Sequence, residues 1–174
     1  LNEVAEVTIL DEGDSPDRGE LKELLRDVDG LYAHILNIVD GDVMDSAPRL
    51  KVVTEFGVGY DNIDEAAASE RGIAVANTPD VLSETTADQA FALLLATGRR
   101  IPMDYVYVRE GKWAPFDPLD LLGADVHHQT LGIVGMGRIG SEMAKRATGF
   151  DMTVLYHNRN RRRDDTGAEY VSTL

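Results

Sequence analysis

The chain has 174 residues, no cysteine and a formal net charge of -14, from 31 acidic against 17 basic residues. Without a thiol there is no disulfide, cysteine nucleophile or thiolate metal site, and so negative a surface repels phosphate backbones, which argues against nucleic acid as a partner. The longest apolar block, residues 90–96, is far shorter than the ~20 residues a bilayer span needs, and the opening LNEVAEV lacks the basic and then apolar pattern of a signal peptide, so a cytoplasmic protein with no membrane partner is expected.

The only lysines are Lys22, Lys51, Lys112 and Lys145. An acid-rich, lysine-poor composition suits a halophilic, high-salt cytoplasm, with a GC-rich genome as the competing explanation.

Taken in order, apolar strands alternate with amphipathic helices. VAEVTIL (4–10) alternates like a strand; Ser15-Pro16 opens a helix whose Leu21, Leu24, Leu25 and Val28 share one face, and Asp29-Gly30 ends it. LYAHI (31–35) predicts a second strand, 41–47 a short helix closed by Pro48, and LKVVTEF (50–56) a third strand. Asp64 caps a helix through Glu70, Gly72 ends it, and IAVAN (73–77) is a fourth strand stopped at Thr78-Pro79. Strand, helix, strand in series implies an α/β fold with parallel sheets.

After Pro79 the texture changes, which places a domain boundary between residues 1–79 and 80–174. Thr85 and Asp88 have capping-box spacing before AFALLLA (90–96), so a long buried helix is expected there. Pro102 kinks or restarts it, Gly111 ends it, and KWAPFDPLDLLGAD (112–125) reads as a loop-rich excursion. Its Trp113 and Phe116 need cover, either within their own domain or from another subunit.

The strongest chemical signal is TLGIVGMGRIG (130–140). Gly135, Gly137 and Gly140 form G-x-G-x-x-G between an apolar strand and a helix whose Ile139, Met143, Ala144 and Ala147 share a face, and MTVLY (152–156) supplies the next strand. Gly135 makes the tight turn, Gly137 lets backbone approach a pyrophosphate, and Gly140 lets helix and strand pack closely. Arg138, Ile139 and Gly140 open the helix whose N–H groups and dipole favour an anion. A dinucleotide is expected here.

An NAD site places an acidic residue about 20 positions past these glycines, on the ribose 2'-hydroxyl. This chain has Asn158 there, followed by Arg159 and by Arg161, Arg162 and Arg163. A 2'-phosphate would meet cations instead of a carboxylate, so NADP (NADPH) is preferred over NAD, with Asn158 and Arg159 as cofactor-binding residues. Arg162 and Arg163 read as a solvated turn partly neutralised by Asp164 and Asp165.

LKVVTEFGVGYDNID, GIAVANTPDVLSETTADQAFALLLATGRR, REGKW, TLGIVGMGRIG and AKRATGFDMTVLY together resemble the D-isomer-specific 2-hydroxyacid dehydrogenases, most closely their glyoxylate and hydroxypyruvate reductase branch. The resemblance is dense over 50–174 and extends over 1–49 only as a pattern of elements. It implies a flavodoxin-like substrate domain in residues 1–79 and a Rossmann domain in 80–174, each a partial one. It implies NAD(P)-dependent reduction of a small 2-keto acid to the 2-hydroxy acid, and a homodimer. The FGVGYDN turn corresponds to the family's substrate loop, where backbone N–H groups near Val58 and Gly59 hold the substrate carboxylate. A strand-to-helix turn needing positive φ is the competing reading of those glycines. Thr86 corresponds to a position near the nicotinamide.

The family's catalytic Arg, Glu and His have no counterpart in the motifs present, and none of His34, His127, His128 and His157 stands in the motif that carries the catalytic one. No catalytic residue is therefore assigned. The expectation is a fragment without the first βα unit and the catalytic half, with little or no turnover by itself. Two other activities fit the same motifs: a D-3-phosphoglycerate dehydrogenase-like enzyme, against which Asn158 and Arg159 count, and a non-catalytic, corepressor-like dinucleotide sensor.

Overall fold

The structure is a computed structural model that describes residues 5–10, 16–113, 117, 119–163 and 167–173. Two compact units divide the chain, Leu1–Pro79 and Asp80–Leu174. No helix among the described residues is long and apolar enough to cross a membrane.

The first unit runs α1 (Arg18–Leu24), β1 (Gly30–Ala33), α2 (Gly41–Asp45), β2 (Val52–Glu55), α3 (Glu65–Glu70) and β3 (Ala74–Ala76). Its three strands form a parallel sheet in the order β1-β2-β3. An aspartate starts each helix. Asp17 makes a full capping box with Glu20, Asp40 accepts from the Val43 N–H at 3.0 Å, and Asp64 from the Ala67 N–H at 2.9 Å. Each carboxylate satisfies amides that lack an intrahelical acceptor and sits at the positive end of the helix dipole. The core gathers Leu21 and Leu25 from α1, Val43 and Met44 from α2, Val53 from β2 and Ala67 and Ala68 from α3. Leu24, expected on the same face, is exposed, because α1 ends there and Leu25 is already its cap. The described part of the expected first strand, residues 5–10, is exposed and pairs with no strand among the described residues: alternation alone does not make a strand without a partner ladder.

The second unit runs α4 (Ser83–Gly98), α5 (Ile101–Arg109), β4 (Thr130–Val134), α6 (Arg138–Thr148), β5 (Thr153–His157) and β6 (Glu169–Tyr170), with a parallel sheet in the order β4-β5-β6. The expected capping box at Thr85 and Asp88 is absent. Leu82 is the N-cap with no side-chain bond, and Asp88 instead accepts from Arg146 Nε at 2.7 Å, joining α4 to α6. The AFALLLA segment is less buried than expected: of α4 only Ala87 and Phe91 are buried, and Leu93 is 57% exposed. Arg100 in the left-handed region separates α4 from α5, and Pro102 falls in the first turn of α5. Trp113 is exposed, whereas Phe116 lies outside the described residues.

Ion pairs stitch the acidic helices of the first unit together. Lys22 and Arg18 reach Asp42, and Arg71 reaches Asp45 at 2.8 Å. Hydrogen bonds from Lys22 and Arg18 hold Asp42 below the usual aspartate range, and the bond from Arg71 does the same for Asp45. A carboxyl depressed in the folded state loses its proton more readily there than in the unfolded chain. Its stabilisation is therefore present above the unfolded aspartate value and lost as pH falls through the folded one. We expect urea midpoints that are insensitive to pH near neutrality, fall below about pH 4, and fall less steeply there in Asp42→Asn.

Candidate functional site

Both units end a parallel strand in a turn that keeps its backbone N–H groups available. In the first, β2 runs into residues 57–62. The Gly57 carbonyl accepts from the Thr78 N–H at 2.9 Å and the Thr78 hydroxyl at 3.0 Å, and the Val58 carbonyl accepts from Asn77 Nδ2 at 2.8 Å. With the carbonyls held back, the N–H groups of Val58 and Gly59 have no acceptor among the described residues. Successive free amides form a concavity suited to a carboxylate. Neither Gly57 nor Gly59 lies in the left-handed region, and a Cβ on either would meet nothing closer than 3.7 Å. The backbone of the turn does not itself demand glycine, so the competing reading of positive φ fails.

In the second unit the glycine loop joins β4 to α6. Gly135 has φ +98°, and its carbonyl lies 2.3 Å from where a Cβ on Gly140 would stand. Only glycine fits at 140. Gly137, by contrast, has open space around its Cβ direction and an extended N-cap conformation, so the protein leaves room beside it. The helix that follows presents the amides of its first turn, from Arg138 through Ile139 to Gly140, in the direction that favours a phosphate.

A cavity of about 450 Å³ lies beside this loop, lined by Arg138, Ser141, Glu142 and Arg162 together with Asp80, Glu84 and Thr85. Arg138 pairs with Asp80 at 2.8 Å. Lys145 holds the Glu142 carboxyl below its usual range, and Asp88 stabilises the charged Arg146 guanidinium, whose Nη2 also donates to the Glu84 carbonyl at 3.2 Å. The cavity mixes both signs of charge.

The sequence-predicted residues separate into three kinds. Gly135, Gly137, Arg138, Ile139 and Gly140 form the loop and helix start as expected. Asn158 turns inward, its Oδ1 accepting from the Met136 N–H at 2.7 Å, so it braces the loop across from β5. Arg159 is exposed with no ion pair among the described residues. Thr86 is exposed on α4, and its neighbour Thr85 takes the place on the cavity wall. Arg162 departs from the solvated turn expected of it: Nη1 donates to the Met136 carbonyl at 2.8 Å and to Ser141 Oγ, so it folds over the glycine loop. Its partner is a carbonyl 26 residues away, a pairing that no local pattern announces. Asn77, which tethers the Val58 carbonyl, was missed for the same reason, although the polar cluster NTPD after a strand marked a turn.

A Rossmann-type glycine loop in one unit and a free-amide turn at the end of the parallel sheet of the other belong to an α/β fold of Rossmann-like type. Residues 1–155 match the family described as D-isomer specific 2-hydroxyacid dehydrogenase, catalytic domain, and the chain belongs to that family. It is 49% identical over 160 residues to a glyoxylate reductase of Korarchaeum cryptofilum, covering 90% of this chain and 48% of the relative. The glyoxylate reductase of Thermococcus litoralis is 46% identical, at 95% and 52% coverage. The crystal structure of the TT0316 protein from Thermus thermophilus superposes with a TM-score of 0.84 at 43% identity, covering 92% of this chain and 51% of that one. The chain thus spans about half the length of the relatives it matches. Solved relatives include complexes with NAD and with NADPH.

The two glycines of the loop make opposite demands. Gly140→Ala forces a Cβ into the Gly135 carbonyl and is expected to destabilise the second unit, lowering the thermal midpoint. Gly137→Ala is expected to leave that midpoint within error while weakening dinucleotide binding at least tenfold (on the order of 1.4 kcal/mol), measured by calorimetric titration.

Proposed function

We propose that this chain belongs to an NADPH-dependent reductase of small 2-keto acids, glyoxylate or hydroxypyruvate, with residues 1–79 holding the substrate and residues 80–174 the cofactor. The observation that carries the substrate half is the pair of acceptor-free amides at Val58 and Gly59, whose neighbouring carbonyls are drawn away by Asn77 and Thr78. They are suited to a single carboxylate, oriented by its two oxygens.

The cofactor half rests on the open space at Gly137 and on the first-turn amides of α6, which have no acceptor among the described residues. A pyrophosphate fits there, with Arg138 and the cavity residue Ser141 beside it, and Thr86 on the side of the nicotinamide. At the adenosine end, Asn158 is already engaged by Met136 and carries no negative charge, while Arg159 stands exposed one residue on. That pairing favours a 2'-phosphate over a bare 2'-hydroxyl. The bound cofactor supplies a hydride; what this chain contributes is the orientation of cofactor and carboxylate and the anion-stabilising amides.

A homodimer accords with α5, whose Ile101, Met103, Tyr105, Val106 and Val108 are all about half exposed or more. Of these, Ile101, Tyr105 and Val108 stand at i, i+4 and i+7 and form one exposed apolar face suited to a second copy. Substitution of Tyr105 by Glu is expected to convert dimer to monomer in sedimentation velocity; a wild-type chain that sediments as a monomer at all concentrations removes the dimer.

Fluorescence titration with NADPH and NADH tests the cofactor reading. NADPH is expected to bind at least tenfold tighter, and Arg159→Ala to abolish the difference while leaving NADH affinity unchanged. Equal affinities in the wild type would refute the preference.

A further inference from the structure

Of the four arginines after β5, Arg159, Arg161 and Arg163 are exposed, whereas Arg162 is half-buried. Two tyrosines set its path. The hydroxyl of Tyr156, a buried residue of β5, accepts from the Arg162 N–H at 3.2 Å, and the Tyr170 hydroxyl, on β6, donates to the Asn158 carbonyl at 3.3 Å. The two rings pack with their centroids 5.4 Å apart. The segment from Asn158 to Arg162 is thus tied to the sheet by its own backbone, and the guanidinium reaches the glycine loop from a support that the loop does not supply.

There Nη1 donates to the Met136 carbonyl at 2.8 Å and to Ser141 Oγ. The Ser141 hydroxyl in turn donates to the Gly137 carbonyl at 2.7 Å, beside the helical bond from its own N–H. A hydroxyl has one proton to give and lone pairs to spare, so accepting from Arg162 leaves that proton for Gly137. One guanidinium nitrogen therefore holds two successive carbonyls, the first directly and the second through Ser141. The Met136 carbonyl shares its peptide plane with the Gly137 N–H, and the Gly137 carbonyl shares its plane with the Arg138 N–H. Neither N–H has an acceptor among the described residues. Holding both carbonyls back turns both N–H groups forward, and a cation on a carbonyl oxygen makes the N–H of the same peptide a stronger donor.

Resting on the reading that this loop takes the pyrophosphate of the dinucleotide, we propose that Arg162 is a positioning residue for the cofactor, acting through the Met136 and Gly137 carbonyls to aim the Gly137 and Arg138 amides. It does so from behind the loop, without contact to the ligand. The pyrophosphate is common to NADH and NADPH, so the effect of Arg162 is blind to the 2'-phosphate. The arginine run then divides its work: Arg159 discriminates between the cofactors and Arg162 serves either one.

The full chain, labelled with ¹⁵N, is titrated with NADH and with NADPH as wild type, Arg162→Ala and Arg162→Lys, and the Gly137 and Arg138 amide resonances are recorded before any cofactor is added. Arg162→Ala is expected to weaken both cofactors by the same factor, about tenfold, and to displace those two resonances in the free, folded chain. Because a single nitrogen makes both bonds, the lysine ammonium is expected to restore the resonances and bring both affinities to within about threefold of wild type. A loss confined to NADPH overturns the proposal in favour of a 2'-phosphate ligand. An equal loss with the free-chain resonances in place overturns it in favour of direct contact with the pyrophosphate. Unchanged affinities in Arg162→Ala overturn it and leave the loop as the cofactor site, whereas a wild type that binds neither cofactor removes that reading and the proposal with it. If Arg162→Ala does not fold, Ser141→Ala carries the test, since it cuts the link to Gly137 and leaves every charge in place. Equal weakening of both cofactors with a displaced Arg138 resonance then supports the proposal, and unaltered binding overturns it.

Discussion

A backbone N–H that faces a site without an acceptor is stable only if the protein holds every other group around it. Both candidate sites depend on this constraint. A peptide plane carries a donor on one side and an acceptor on the other, so fixing a carbonyl from behind also aims the next amide forward. Asn77 and Thr78 do this for the turn after β2, taking the carbonyls of Val58 and Gly57. In the glycine loop Arg162 takes the Met136 carbonyl while Asn158 takes the Met136 N–H, which fixes the peptide planes on either side of Met136. Neither site is built from a cluster of reactive side chains. Each is a strand end whose exit path has been fixed by residues distant in sequence.

The glycine loop adds a steric constraint to the polar one. Gly140 lies so close to the Gly135 carbonyl that the start of α6 and the end of β4 are in backbone contact. That contact sets where the first turn of the helix points. Arg146, in the last turn of the same helix, reaches Asp88 and the Glu84 carbonyl and thereby fixes α6 against α4. Close packing at one end and a charged clasp near the other leave the helix little freedom to rotate, which is what a site made of helix amides requires.

Much of this was legible in the sequence, for reasons that are local. The G-x-G-x-x-G loop depends on neighbours within six residues, and Asp64 caps α3 through a bond spanning three. Such patterns survive being read one window at a time. What was not legible depended on the other side of a contact. Asp88 had the spacing of a cap and became a partner for Arg146, 58 residues away. Arg162 looked like one more arginine in a polar run, and its role follows from where Met136 lies in space. Leu24 and Leu93 matched an apolar face whose covering surface is absent at those points among the described residues, and VAEVTIL matched a strand without a partner. Glu55, buried at the end of β2, gave no signal at all, because burial of a single glutamate is a property of the assembled sheet.

The negative charge of the chain raises the question of how it would hold anionic ligands. Long-range repulsion from many dispersed surface carboxylates falls away within roughly 10 Å at moderate ionic strength. Helix and turn amides act over shorter distances, as fixed dipoles inside a site from which solvent ions are displaced, and salt screens them far less. Attraction at the turn and repulsion from the surface therefore operate on different length scales, and added salt removes the second before the first. On this argument the acidic surface is compatible with anion binding as long as the acidic groups remain outside the site.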